Sequence, residues 1–158
     1  MKTKITLLAF ALLASLSITA YAQHKLSIQV KGIETQSGNI MVGLFNNSET
    51  FLKKPFKEAA VAVIGTSELV EFDELESGAY AVSIFHDENG NGELDRGEYG
   101  IPLEKFGFSN NVIPKMGPPS FEECKINIES DTQIEIKLIS IQFTPRKMPW
   151  KYLMKPLF

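Results

Sequence analysis

Short runs in which apolar and polar residues alternate occur along most of this chain. Leu26, Ile28 and Val30 are separated by polar neighbours, and the run 39–46 repeats the pattern. A period of two places successive side chains on opposite faces of the backbone, as in a β-strand with one buried face. This patterning predicts an all-β domain, because no stretch of comparable strength repeats with the period of a helix.

The alternating runs predict about seven short strands, separated by turn-forming residues. The predicted strands are Leu26–Val30, Asn39–Asn46, Ala60–Ile64, Glu68–Phe72, Gly78–His86, Lys125–Ile128 and Thr132–Phe143. Strands of this length and spacing are typical of a single antiparallel β-sandwich. In the last run the apolar face switches between Leu138 and Ile139, which predicts a bulge or a passage from sheet edge to core.

The segment from Asp87 to Glu98 has the spacing of a twelve-residue calcium loop. Oxygen-bearing side chains occupy positions one, three, five, nine and twelve, and Gly92 occupies position six, where the chain must turn sharply. The predicted ligands are the side chains of Asp87, Asn89, Asn91, Asp95 (directly or through water) and Glu98, with the backbone carbonyl of Glu93. The sequence therefore predicts a structural Ca²⁺ site.

A metal-free acidic hairpin is the alternative interpretation of the same loop. Asn89-Gly90 and Asn91-Gly92 are strong turn signals on their own, although carboxylates crowded without a cation repel one another. The flanks exclude an EF-hand, because residues 78–86 alternate as a strand and Pro102 prevents an immediate helix. We expect a clamp between strands, with a dissociation constant on the order of 10⁻⁵ to 10⁻³ M.

The first 22 residues have the features of a secretory signal peptide. Lys2 and Lys4 precede an apolar run at 5–20, and Ala20-Tyr21-Ala22 forms a cleavage site of small residues. Cleavage after Ala22 would leave a secreted or periplasmic protein and remove two positive charges, so that the formal charge falls from −3 to −5. An acidic protein of this kind is not expected to bind nucleic acid. The expected domains are the leader 1–22, the sandwich 23–144 and a tail 145–158.

The tail 145–158 differs in composition from the rest of the chain. Its basic residues are interleaved with Trp150, Tyr152 and Phe158. The favoured interpretation is a flap packed on the sandwich or a loose end of the chain. The alternative is contact with a membrane surface or a partner protein, to which a basic aromatic segment is suited. The oligomeric state cannot be inferred from these patterns.

A Phe-rich segment between residues 106 and 121 is a second candidate site. The candidate ligand-binding residues are Phe106, Phe108, Asn110, Asn111 and Phe121. Aromatic faces and amides beside a metal loop are suited to glycan or peptide contact. The favoured interpretation is nevertheless a long crossover whose Phe side chains only fill the core. Cys124, the single cysteine, is expected to be buried and unreactive.

Several short blocks of sequence carry a resemblance to a known family. The blocks are His86-Asp87, Asn89-Gly90-Asn91-Gly92, Leu94-Asp95, Gly100-Ile101-Pro102, Gly107-Phe108-Ser109-Asn110-Asn111 and Gly117-Pro118-Pro119-Ser120-Phe121. Together they resemble the bacterial secreted family known as domain of unknown function 2141, over residues 26–143. The segment 74–80 and the acidic loop are also similar to the prealbumin-like modules of bacterial surface proteins. The first resemblance implies a small exported β-sandwich without an assigned activity, and the second implies architecture alone.

These observations together predict a non-enzymatic, calcium-stabilised, exported β-sandwich that acts as an accessory or adhesive binding module. A glycan or a protein of the cell envelope is the expected partner. The alternative is a hydrolase acting on cell-surface glycans through loop carboxylates such as Asp87 and Glu98. Metal ligation explains the spacing of those acids better than paired-acid hydrolysis does.

Overall fold

The structure is a computed structural model that describes residues 23–97, 100–115 and 117–141. The described residues form eight strands, one short α-helix, α1, and a 3₁₀ turn at Ser109–Asn111. The strands are β1 (His24–Lys31), β2 (Asn39–Phe45), β3 (Lys57–Ala62), β4 (Ser67–Leu75), β5 (Gly78–Asp87), β6 (Phe106–Phe108), β7 (Ile126–Ile128) and β8 (Thr132–Lys137), and α1 is Phe121–Cys124. The predicted leader 1–22 and tail 145–158 lie outside the described residues. In the part of the chain that is described, no helix combines the length and the apolarity needed to cross a membrane.

The strands form two sheets that share one hydrophobic core. The smaller sheet has the order β4-β1-β8, and the larger has the order β3-β2-β5-β6 with β7 also paired to β5. Alternate residues of both sheets enter the same cluster: Leu26, Ile28 and Val30 come from β1, and Ile40 and Val42 from β2. The predicted all-β architecture is therefore confirmed, with two sheets facing each other across a common core.

The sequence predicts about seven strands and the described residues form eight, since β6 (Phe106–Phe108) has only three residues and is too short to show a clear alternation. One detail of the predicted sandwich is wrong, because the sheets are not wholly antiparallel: β8 pairs in parallel with β1, Leu26 lying opposite Thr132. Alternation marks which face of a strand is buried and carries no information about the direction of its neighbour.

The face switch at Leu138 and Ile139 marks the place where the chain passes from one sheet to the other. Leu138 donates its backbone N–H to Lys31 of the smaller sheet at 2.9 Å and is buried in the main core. Ile139 exchanges two backbone hydrogen bonds with Phe106 of the larger sheet and packs outside that core. The predicted switch therefore links the two sheets along their edges.

A second hydrophobic cluster covers the outer face of the larger sheet. Its buried members are Phe45, Phe51, Ala81, Phe106, Phe108, Phe121 and Cys124. Helix α1 presents Phe121 and Cys124 to this cluster and begins with a capping box, in which Ser120 and Glu123 exchange hydrogen bonds. The Phe-rich segment thus packs on the outside of the sandwich, where it forms a second layer over β5.

Candidate functional site

Asp87, the first residue of the predicted calcium loop, lies at the end of β5 with a side chain that is 1% exposed. Its Oδ1 accepts the backbone N–H groups of Gly90 at 2.7 Å and Asn91 at 3.1 Å, and its Oδ2 accepts that of Gly92 at 2.9 Å. The two glycines have φ of +76° and +78°, a region in which other residues are strained. The loop therefore wraps around one buried carboxylate.

The next predicted ligands contact one another on the open side of the loop. Asn89 and Asn91 each accept the backbone N–H two residues ahead, at 3.0 and 2.7 Å, which forms consecutive Asx turns. Their Nδ2 groups donate to the two oxygens of Asp95, at 2.6 and 3.1 Å. The loop thus brings positions three, five and nine together around the carboxylate of Asp95.

The chemical type of these donors suits an oxygen-loving cation. Each carboxylate or amide oxygen has two lone pairs. Asp87 Oδ2, both oxygens of Asp95 and the Oδ1 atoms of Asn89 and Asn91 each accept one hydrogen bond, so each keeps one lone pair. Hard oxygen donors of this type are what Ca²⁺ prefers.

The predicted ligand set remains a prediction. Glu98 lies outside the described residues, and the role of Glu93 rests on its backbone carbonyl. Within the described ranges, no group of three or more His, Cys, Asp or Glu side chains is placed to hold a metal. Besides Asp87 and Asp95, the predicted set depends on two Asn side chains, one backbone carbonyl and Glu98.

Glu104 is part of the loop network, although its position outside the twelve-residue spacing does not predict this role. The side chain is 8% exposed, and it accepts the backbone N–H of Glu88 on Oε1 and that of Asp95 on Oε2, both at 3.1 Å. Glu104 therefore fastens the beginning of the loop to its later half. One sequence signal for this role exists. Glu104, Phe106 and Phe108 alternate with a period of two, so the acid falls on the same face of the chain as two Phe side chains that are expected to be buried.

His86 anchors the start of the loop to a neighbouring turn. The side chain is fully buried, and its Nε2 lies 2.7 Å from the carbonyl oxygen of Ser37, so Nε2 carries a proton. Nδ1 has no hydrogen-bond partner among the described residues and lies 3.7 Å from Glu88 Oε1. His86 thus fixes the turn before β2 against the end of β5.

The predicted aromatic ligand-binding residues fall into two groups. Phe121 packs edge-to-face on Phe51, with ring centroids 5.8 Å apart, inside the second cluster. Phe106 and Phe108 form a similar pair at 5.7 Å, and both also line a cleft next to the loop. Phe106 and Phe108 therefore line the cleft, whereas Phe121 does not, and all three side chains are almost fully buried.

The predicted amide ligands Asn110 and Asn111 hold the backbone of neighbouring elements. Asn110 Nδ2 donates to the carbonyls of Glu123 and Lys125, both at 3.0 Å. Asn111 Nδ2 donates to the carbonyl of Glu135, and its Oδ1 accepts the N–H of Lys137. Both residues have positive φ, which Asn tolerates better than most residues do. These contacts give both amides an observed structural role.

Cys124 lies in the second cluster as an unpaired, fully buried thiol. Burial raises the pKa of the Cys124 thiol to about 11, so that at pH 8 only about one thiol in a thousand is ionised. We expect native protein at pH 8 to react with iodoacetamide at least about 100-fold more slowly than urea-unfolded protein. Mass spectrometry of timed samples measures both rates, and equal rates would show that the thiol is accessible.

The cleft that Phe106 and Phe108 line has a volume of about 550 Å³ and lies over the outer face of the larger sheet. One wall is the turn segment after β2, which contributes Leu52 and Pro55. The opposite wall comes from the calcium-type loop and the turn after it, which contribute Leu94 and Ile101. The cleft and the loop therefore share residues.

Comparison with known proteins identifies a family but no characterised relative. Neither the curated proteins nor the solved structures provide a significant match to the chain. A family model described as "Uncharacterized protein conserved in bacteria (DUF2141)" matches residues 28–136, which covers most of the sandwich and the whole acidic loop. The predicted resemblance to this family is thereby confirmed, and the chain belongs to this family of bacterial proteins.

Proposed function

We propose that this protein is an exported β-sandwich that is stabilised by Ca²⁺ and acts as a non-enzymatic binding module in the cell envelope. The observation that carries the proposal is the loop built around Asp87. A buried carboxylate that accepts three backbone N–H groups organises the turn, while the oxygens of Asn89, Asn91 and Asp95 keep free lone pairs.

The electrostatics of the loop support a bound cation. The carboxylates of Asp87, Asp95 and Glu104 belong to one hydrogen-bond network, since Asn91 links the first two and the Asp95 N–H reaches Glu104. The three acids carry like charges, and a divalent cation beside them would offset that negative charge. The predicted leader is consistent with such a site, because free calcium is plentiful outside the cytoplasm and a weak site is filled there.

The state of Asp87 supports a structural rather than a catalytic role. A general acid or nucleophile must present its carboxyl group to a substrate, whereas Asp87 is buried and both of its oxygens accept backbone hydrogen bonds. The neighbouring cleft supports a binding role, because it is concave, largely apolar and of the size that small-molecule sites have.

A thermal melt in calcium and in chelator tests the proposal. With free calcium at about 10 to 100 times the dissociation constant, binding to the folded state adds about 1.4 to 2.7 kcal/mol to the free energy of unfolding. For a domain of this size, we expect Tm to rise by about 5 to 10 °C on passing from chelator to millimolar calcium. Mass spectrometry of the exported protein fixes its N-terminus in the same preparation.

Asp95→Asn and Glu93→Gln form a matched pair for this melt. Each removes one negative charge from the loop, but only Asp95 is predicted to ligate through its side chain. The calcium-dependent rise in Tm should largely disappear in Asp95→Asn and persist in Glu93→Gln. Equal Tm values for the unaltered protein in calcium and chelator would rule out a structural calcium site.

A further inference from the structure

The cleft beside the calcium-type loop combines an apolar floor with a basic rim. Its floor includes Phe45, Phe85 and Phe106, of which Phe45 and Phe106 are almost fully buried. Lys53, Arg96 and Lys115 come from three different segments and line the same space. A cleft of this kind offers both burial of apolar surface and attraction for negative charge.

The basic rim stands out because the protein as a whole is acidic. The chain has 16 Lys and Arg against 19 Asp and Glu, yet the described residues that line the cleft include three basic side chains and no acidic one. Among the described residues, no carboxylate lies within ion-pair distance of the charged nitrogens of Lys53, Arg96 or Lys115. The rim therefore presents positive charge that no described carboxylate pairs at ion-pair distance, although Lys115 interacts electrostatically with Glu123.

Backbone contacts hold the basic walls in place. Arg96 Nη1 donates to the carbonyl of Gly100 at 3.1 Å, and Arg96 pairs with Pro102 as a β-bridge. On the other wall, Lys53 donates its backbone N–H to Thr50 at 3.0 Å and its Nζ to the carbonyl of Glu49 at 3.2 Å. Rims that are ordered before binding lose less entropy when a ligand is bound.

The space suits a small molecule with an elongated apolar part. The cleft continues into a shallower groove of about 330 Å³ over β2 and β3, with which it shares Phe45, Pro55, Ser83 and Phe85. The groove is lined by Met41 and Ala60, and Glu58 is the one acid among the described residues that line it. The apolar floor thus extends away from the basic rim, toward described lining residues of which none is basic.

From this geometry we infer that the cleft binds an amphipathic anion, a molecule with a fatty-acid-like apolar chain and one negatively charged head group. The chain lies over Phe45, Phe85 and Phe106, and the head group lies near Lys53, Arg96 and Lys115. The inference rests on the proposed function only in taking the protein as a binding module. It does not require a bound metal. The anion-binding cleft and the calcium site can therefore each be disproved without affecting the other.

Charge argues against the tail of the chain as the occupant of the cleft. The described residues end at Ile141, which lines the cleft, and the sequence that follows carries Arg146, Lys147, Lys151 and Lys155. A basic segment would place like charges beside the basic rim. An external anion is the better match to the three cations.

Calorimetric titration with decane-1-sulfonate tests the inference, since this soluble amphipathic anion is not precipitated by calcium. We expect measurable binding below millimolar concentration, and at least about 10-fold weaker binding of the cation decyltrimethylammonium, which has the same alkyl chain. Lys53→Gln and Lys115→Gln should each weaken sulfonate binding about 3-fold, and the double variant about 10-fold. Lys54→Gln removes a neighbouring charge that does not line the cleft and should leave the affinity unchanged.

Three results would overturn the inference. These are no sulfonate binding at millimolar concentration, equal affinity for the anionic and cationic amphiphiles, and equal affinity in the double variant and Lys54→Gln. Ser83→Leu adds volume to the floor and should abolish binding if the alkyl chain lies there. Circular dichroism establishes that each variant is folded. The thermal melt in calcium and in chelator measures metal binding without any amphiphile present. Failure of the metal site and failure of the cleft are therefore distinguishable.

Discussion

Replacing Gly38 by Ala is expected to lower the free energy of unfolding by about 4 kcal/mol, the largest effect we anticipate for a single methyl group. Gly38 has φ of +73°, and a Cβ built on it would lie 2.0 Å from the carbonyl oxygen of Asp87 and 2.9 Å from Glu88 Cα. Both contacts are to backbone, which cannot turn away as a flexible side chain can. Gly38 also accepts the N–H of Val63, so its own movement would break a hydrogen bond.

Gly90→Ala is the control that separates backbone strain from collision. Gly90 has a similar φ of +76°, but nothing lies within 4 Å of a Cβ built there. This variant should lose only about 1 to 2 kcal/mol, the cost of a left-handed conformation for an ordinary residue. Urea unfolding followed by circular dichroism measures both. If Gly38→Ala were no more destabilising than Gly90→Ala, the result would contradict the close contact between the turn before β2 and the backbone of Asp87.

Asp87→Ala is expected to destabilise the protein by about 3 kcal/mol even when calcium is absent. The substitution removes the acceptor of three backbone N–H groups, those of Gly90, Asn91 and Gly92, within a turn that Asp87 organises from a buried position. Asp87→Asn keeps one oxygen acceptor and should lose about half as much. In calcium the deficit of Asp87→Ala should grow, because the first predicted metal ligand is also gone.

Urea unfolding in chelator isolates the hydrogen-bonding part of this effect from the metal. Glu93→Ala serves as the comparison, because Glu93 is an exposed acid of the same loop whose side chain is not predicted to ligate. Its free energy of unfolding in chelator should stay within about 0.5 kcal/mol of the unaltered protein. Equal values for Asp87→Ala and Glu93→Ala would mean that the carboxylate of Asp87 does not organise the loop.

Features encoded by neighbouring residues could be predicted from the sequence. The β-strands follow from alternation, because burial of one face requires a period of two whatever the rest of the fold does. The face switch at Leu138 and Ile139 proved to be the passage between the two sheets. The loop residues Asp87, Asn89, Asn91 and Asp95 come together in the structure because a tight turn with two left-handed glycines leaves them few arrangements.

Features that depend on distant parts of the chain could not be predicted in this way. Strand β6 is only three residues long and is defined by its pairing with β5. The parallel pairing of β8 with β1 depends on the direction in which the end of the chain comes back to the first strand. Glu104 acts on the loop from nine residues beyond Asp95, and its two hydrogen bonds exist only because the turn doubles back. The amides of Asn110 and Asn111 reach carbonyls of α1 and β8 for the same reason.

The sequence by itself determined that this protein is built from β-strands, that it has the motifs of its family and that one acidic loop has calcium-type spacing. Only the tertiary structure decided that Lys53, Arg96 and Lys115 line one cleft over a floor of Phe side chains. A local pattern is set by the geometry of adjacent residues, and that geometry does not depend on the rest of the fold. A cleft is set by the packing of segments far apart in sequence, and it exists only after the two sheets and their outer layer have come together.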